Sequence, residues 1–177
     1  IVCEGCTTSG TLLILIGIAL SQIFGFRFSV LRLVTIVSAA SSIVLTYVLV
    51  KEITGREKLS ILSGLLLLAN PIFFNIGHLF QTDIPFLFLS LLSIHLAIVG
   101  MKKKQFNYFL AFGIISAANI FLRQIALIIP LAFGLYMLLK NRPNLISRET
   151  VVATIIPATF FVIFLFSQYM QYGAFYT

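Results

Sequence analysis

The sequence predicts an all-α fold: a polytopic bundle of transmembrane helices with one short juxtamembrane helix lying along the membrane surface. Three observations carry this. Of 177 residues, 60% are hydrophobic and only 10% charged, whereas a soluble domain carries roughly 25% charged residues. The apolar residues come in runs too long and too many for a buried soluble core, and mean hydropathy is +1.10. The basic residues gather between those runs, as topology signals do, so the net charge of +7 reports orientation and not a nucleic-acid partner. The lipid bilayer is the first partner the chain implies.

Taken in order, residues 1–10 read as the end of an outer loop. Cys3 and Cys6 form a C-x-x-C without the βαβ context of redox chemistry or further metal ligands nearby; two plain thiols or a small local disulfide suffice. No charged segment precedes a short apolar stretch at Ile1, so no signal peptide is expected, and the chain reads as one domain, 1–177, cut from a longer protein. Residues 11–24 are apolar but would make a helix only about 21 Å long, less than the ~30 Å hydrocarbon core. With their Thr7-Thr8-Ser9-Gly10 lead-in they suit a surface helix. Residues 33–50 span. Residues 59–80 span with a kink at Asn70-Pro71. Residues 84–100 span. The apolar stretch 106–139 is too long for one helix and is interrupted at Arg123-Gln124, which divides it into 106–122 and 124–139. Residues 150–172 form the last span.

This division sorts the charges. Lys51, Arg56 and Lys58 lie in one loop, Lys102–Lys104 in a second, and Lys140, Arg142 and Arg148 in a third, all on one side. That side collects nine of the twelve basic residues, including every lysine, and is therefore cytoplasmic. A single helix over 106–139 would put the second and third loops on opposite sides. Arg27, Arg32, Asp83 and Arg123 remain for the outer face, with His78 and Gln124 at the same level, and with Glu4 if 11–24 lies on the surface. There are 18 Phe and no Trp, so Tyr must supply any aromatic belt.

Asp83, within Thr82-Asp83-Ile84-Pro85, is the only acidic residue between Glu57 and Glu149. A carboxylate at a membrane edge is costly and is a functional candidate by default. It either caps the following helix or orients a bound ligand, a metal or Arg123. Arg123 sits at a turn inside an apolar stretch and needs a partner: Asp83, or an anion such as a phosphate, whose oxygens its planar fork matches. Arg32 either snorkels to the headgroups or contacts the same phosphate, and Arg27 suits an interfacial anchor. His78, Gln124 and Glu4 complete the candidates, each with a plain interfacial or terminal reading beside the functional one. His95, mid-span, suits a packed residue bonded to another helix. No metal-ligand cluster is visible, although a divalent metal near Asp83 stays open.

Four blocks resemble the GT-C glycosyltransferases, closest to family 39, the protein mannosyltransferase and aminoarabinose transferase relatives. They are Phe24-Gly25 through Arg32-Leu33, Lys51-Glu52-Ile53-Thr54-Gly55, Asn70-Pro71 with Thr82-Asp83-Ile84-Pro85-Phe86, and Arg123-Gln124 with Pro130-Leu131. They occur in family order over about residues 10–135. The resemblance implies a polyprenyl-phosphate sugar donor and an active site on the extracytoplasmic face. It also implies an unnamed acceptor (protein, lipid or glycan) and hexosyl or pentosyl transfer with inversion. It places the general base in an outer loop upstream of Ile1, which leaves Asp83 as a supporting carboxylate and Arg123 and Arg32 as donor-phosphate ligands. Where many relatives carry His-Pro-Pro or Lys-Pro-Pro, this chain reads Cys6-Thr7-Thr8-Ser9-Gly10. The alternative function is a multi-pass transporter or flippase of an anionic or lipid-linked substrate. For that reading the chain lacks a matching pair of broken helices elsewhere, and its charges sit at one face, not at the midplane.

Overall fold

A computed structural model of the chain describes residues 10–25, 27–140 and 148–172, and those residues are helical with short connections. Two long helices make the frame, α2 (Phe28–Thr54) after the shorter α1 (Thr11–Phe24), and α5 (Asp83–Lys103) after α3 (Glu57–Leu68) and α4 (Pro71–Ile76). At ~1.5 Å per residue α2 and α5 measure about 40 and 31 Å. Among the described residues these two are long and apolar enough to cross a bilayer. They run parallel, because Lys102 Nζ on the last turn of α5 donates to the carbonyl of Glu52 near the end of α2 at 2.8 Å.

The rest of the bundle alternates. The chain turns at Lys104-Gln105 and returns as α6 (Phe106–Leu122). After a 3-10 turn at Gln124–Leu127 it reverses into α7 (Ile128–Lys140). Phe133 packs on Phe109 and Phe112 with ring centroids 6.0 and 4.9 Å apart, which requires that reversal. The last helix, α8 (Arg148–Tyr172), follows α6 in the same direction: Ile156 meets Gly113, and Phe160 and Phe164 meet Phe121 edge-on. The described core of Ala97, Phe109, Phe112, Phe133, Met137 and Ala153 joins α5 to α8. α1 packs on α2 and α6, with Gly10 set against Thr82, in the connection ahead of α5, and Gly17 against Leu31 and Phe80.

The burial pattern is that of a protein solvated by lipid. On α2 the inward face carries Thr35, Ser38 and Ser42, while Leu33, Val37 and Val44 point outward. On α5 the inward face is Ser90, Ser93, Ala97 and Gly100. On α3 it is Ser60 and Gly64, the latter close to Ile43 and Tyr47 of α2. The large aliphatic residues of α3 do not carry its packing; Ile61, Leu62, Leu65 and Leu66 are exposed. Between helices in lipid, small residues allow close approach and hydroxyls find hydrogen-bond partners within the helices, as Ser38 does at Val34 and Ser42 at Ser38. The chain is thus read as an integral membrane protein.

Two connections follow from local chemistry. Gly55 closes α2 in the left-handed region (φ 67°), its N–H donating to the carbonyl of Lys51 at 2.9 Å, a geometry that costs glycine little. Lys104 closes α5 the same way at φ 50°, where a side chain is strained.

The structure corrects the single span over 59–80. Helix α3 stops at Leu68, a new short helix begins at Pro71, and residues 77–82 are not helical. Asn70 Oδ1 accepts from the N–H groups of Ile72 and Phe73 at 2.9 and 3.1 Å, so it caps a fresh helix, and Pro71 suits that first position. A cap breaks the chain where a proline alone would bend it. The other bounds shift by less: α2 begins five residues ahead of the expected 33, and α7 begins after the 3-10 turn.

Candidate active site

At the end of the bundle away from the lysines, three chain segments meet around one ion pair. α5 starts there with Thr82 and Asp83, α6 finishes there with Arg123 as its C-cap, and the beginning of α1 covers Thr82. Arg123 is extended (φ −149°, ψ 130°), which releases the chain from α6 and turns the side chain towards α5. Its Nη2 meets Asp83 Oδ1 at 2.7 Å and its Nε donates to Thr82 Oγ1 at 3.4 Å. Its guanidinium carbon stands 5.9 Å from the centre of the Phe86 ring, within cation–π range.

The pair is neither buried nor free in water: the two side chains are 40% and 38% exposed. A cation in that setting is held in one orientation yet stays within reach of a ligand. Asp83 is the first residue of α5, and its carboxylate goes to Arg123, while Thr82, the residue at the cap position, makes no side-chain capping bond. A negative charge on the first turn also suits the positive end of the helix dipole.

The other candidates are not joined to this pair. Arg32 is exposed on the first turns of α2, at the same end, with no hydrogen bond or ion pair to Asp83 or Arg123. Arg27 is exposed just ahead of α2. His78 is exposed in the connection before α5, its Nδ1 3.2 Å from the carbonyl of Phe74. Gln124 is exposed at the start of the 3-10 turn, beside Arg123 in sequence. Glu4, like Cys3 and Cys6, lies outside the described residues. Among the described residues no three His, Cys, Asp or Glu side chains are grouped to hold a metal ion.

Two contacts were not singled out from sequence. Phe86 lies under Arg123, although the residue belongs to the block that runs from Thr82 to Phe86. Deeper in the bundle, buried Asn119 of α6 donates from Nδ2 to Ser90 Oγ of α5 at 2.9 Å. An amide inside a 17-residue apolar helix is the signal that could have found it. At the opposite end Glu52 gathers partners: His95 Nδ1 at 3.2 Å, without a well-aligned hydrogen bond, and Lys102 Nζ at 3.4 Å. His95 thus packs against another helix far from the Arg123 pair.

A family model described as dolichyl-phosphate-mannose-protein mannosyltransferase matches residues 12–169. No curated protein and no solved structure matches the chain. The matched stretch includes Arg32, His78, Asp83, Arg123 and Gln124 and covers most of the chain. This chain therefore belongs to the dolichyl-phosphate-mannose-protein mannosyltransferase family, of GT-C type, and is a membrane glycosyltransferase.

Proposed function

We propose that the enzyme takes its sugar from a polyprenyl-phosphate donor and passes it to an acceptor at the extracytoplasmic face, with Arg123 as the principal ligand of the donor phosphate. The observation that carries this is the half-exposed Arg123–Asp83 pair at 2.7 Å. Asp83 fixes one edge of the guanidinium, and the remaining N–H groups can meet phosphate oxygens in the bidentate manner that arginine favours. Charge distribution supports the choice of face. Lys51 and Lys102 stand at the end where Glu52 sits, and a lysine-rich end belongs in the cytoplasm. An apolar groove of about 360 Å³ between α5 and α7, lined by Ile94, Ile98, Ile129 and Phe133 among others, offers a place for an isoprenoid chain.

In the reaction the acceptor oxygen attacks the anomeric carbon as the bond from that carbon to the phosphate oxygen breaks. The electron pair leaves with the polyprenyl phosphate, whose growing charge Arg123 stabilises. Attack from the opposite side inverts the anomeric centre. The acceptor's proton goes to a general base. Asp83 serves this chemistry by orienting Arg123. Arg32 is the second phosphate ligand only if the bound donor extends across the start of α2. The acceptor is a protein hydroxyl in the reading closest to the family's description.

The test uses the full-length protein in proteoliposomes, supplied with labelled mannose either on a polyprenyl phosphate or on a nucleotide. Transfer from the lipid-linked donor alone is expected. Transfer from the nucleotide sugar without lipid, or movement of the lipid-linked sugar across the bilayer with no transfer, would contradict the reading; the second result would favour a flippase.

A further inference from the structure

The contact between Asn119 and Ser90 is placed to control the pair above it. Ser90 Oγ donates to the carbonyl of Phe86 at 2.7 Å and accepts from Asn119 Nδ2 at 2.9 Å. The ring of the same Phe86 lies under Arg123. The backbone carbonyl of the same Asn119 accepts from the N–H of Arg123 at 3.0 Å. Asp83, Phe86 and Ser90 on α5 and Asn119 and Arg123 on α6 therefore form a closed set of contacts, with the ion pair at its exposed edge and the amide bond at its buried edge.

Asn119 is a poor choice for simply holding two helices together. It is fully buried, and among the described residues its Oδ1 has no partner; Ser116 Oγ, one turn below, is equally buried and unpartnered. A buried polar atom left unpaired opposes folding, where an apolar side chain of the same size would favour it. What the amide supplies is direction: it bonds at one height of α5, and apolar packing does not distinguish neighbouring heights as sharply. A single buried polar contact fixing helix register is the best-attested use of such groups.

We infer that Asn119 is a positioning residue, which through Ser90 sets the axial register of α6 against α5 and so aims Arg123 at Asp83 and at the donor phosphate. This rests on the donor-phosphate reading of Arg123. The same two helices are closely fitted at their other end, where a methyl on Gly100 would come within 3.2 Å of Phe109. That contact limits separation at the end remote from Arg123, and the amide bond ties the two helices at one height nearer the Arg123 end.

The experiment compares Asn119→Leu, Ser90→Ala, Arg123→Ala and the Asn119→Leu/Arg123→Ala double variant in the full-length protein. Transfer is assayed with mannose on polyprenyl phosphate, and each rate is taken per folded molecule. Misaiming by about 1 Å costs up to ~100-fold in rate, so Asn119→Leu and Ser90→Ala should each lower kcat about ten- to hundredfold, with a smaller change in donor KM. Added to Arg123→Ala, Asn119→Leu should cost nothing further, because the two act through one group. Ser90→Ala removes a single oxygen and carries the test if Asn119→Leu does not fold. Losses that multiply in the double variant would overturn the inference. Unchanged transfer in Ser90→Ala and Asn119→Leu, alongside a damaged Arg123→Ala, would overturn it alone. Intact transfer by Arg123→Ala would overturn the donor-phosphate reading and this inference with it.

Discussion

Replacing Asp83 with Asn separates the charge of the pair from its shape. The amide keeps an oxygen where Oδ1 now stands, 2.7 Å from Arg123 Nη2, and removes the negative charge. The effect on folding is bounded by exposure. With the two side chains 40% and 38% exposed, water screens the pair, and such contacts are worth about 0.2–1 kcal/mol. Loss of a carboxylate from the first turn of α5 adds about 0.3–1 kcal/mol through the helix dipole. Asp83→Asn should therefore cost no more than about 2 kcal/mol and give a folded protein with a modestly lower Tm. Its effect on catalysis should be larger and of a definite kind. An unneutralised Arg123 attracts phosphate at least as strongly, so donor KM should stay level or fall. Arg123 is also less firmly aimed, so kcat should drop about tenfold or more. Asp83→Glu keeps the charge and moves it by one methylene, and should recover folding better than rate. The assay is steady-state transfer in proteoliposomes beside thermal unfolding in detergent. Wild-type kcat and KM for a folded Asp83→Asn would refute the positioning role. A loss of stability well beyond about 2 kcal/mol would make the pair a structural lock.

Other consequences follow from particular residues. Lys104 closes α5 in the left-handed region, so Lys104→Gly should raise stability by about 1 kcal/mol, read as a higher Tm, with transfer unchanged. Glu52 accepts Lys102 and neighbours His95 at the end remote from Arg123. Glu52→Gln should thus lower the Tm, by an amount matching about 1 kcal/mol, and leave donor KM as it was.

Much of this was legible in the sequence because lipid imposes simple rules. The excess of apolar residues, and the gathering of lysines between the apolar runs, are enough for an all-helical membrane fold. An arginine inside a long apolar stretch marks the place where α6 ends, since a helix continuing through it would bury the charge. Asp83 and Arg123 stand out for their isolation, and the structure brings them together. What the sequence hides is what depends on side-chain direction. The break at Asn70 turns on an amide oxygen reaching two backbone N–H groups, which residue order does not distinguish from a proline kink. Arg32 shares an end of the bundle with Arg123 but not a contact, because level in the membrane says nothing about azimuth around a helix. Asn119 shares α6 with Asn107, and only packing reveals that Asn119 faces Ser90.

The most direct measurement is sugar transfer from polyprenyl phosphate by Arg123→Ala and Arg123→Lys, each normalised to folded protein in the membrane. Removing a charge that stabilises a leaving phosphate should lower kcat about 100- to 1000-fold in Arg123→Ala. Arg123→Lys, with charge but no fork, should recover only part of that loss. Undiminished transfer by a folded Arg123→Ala would contradict the assignment of Arg123 to the donor phosphate.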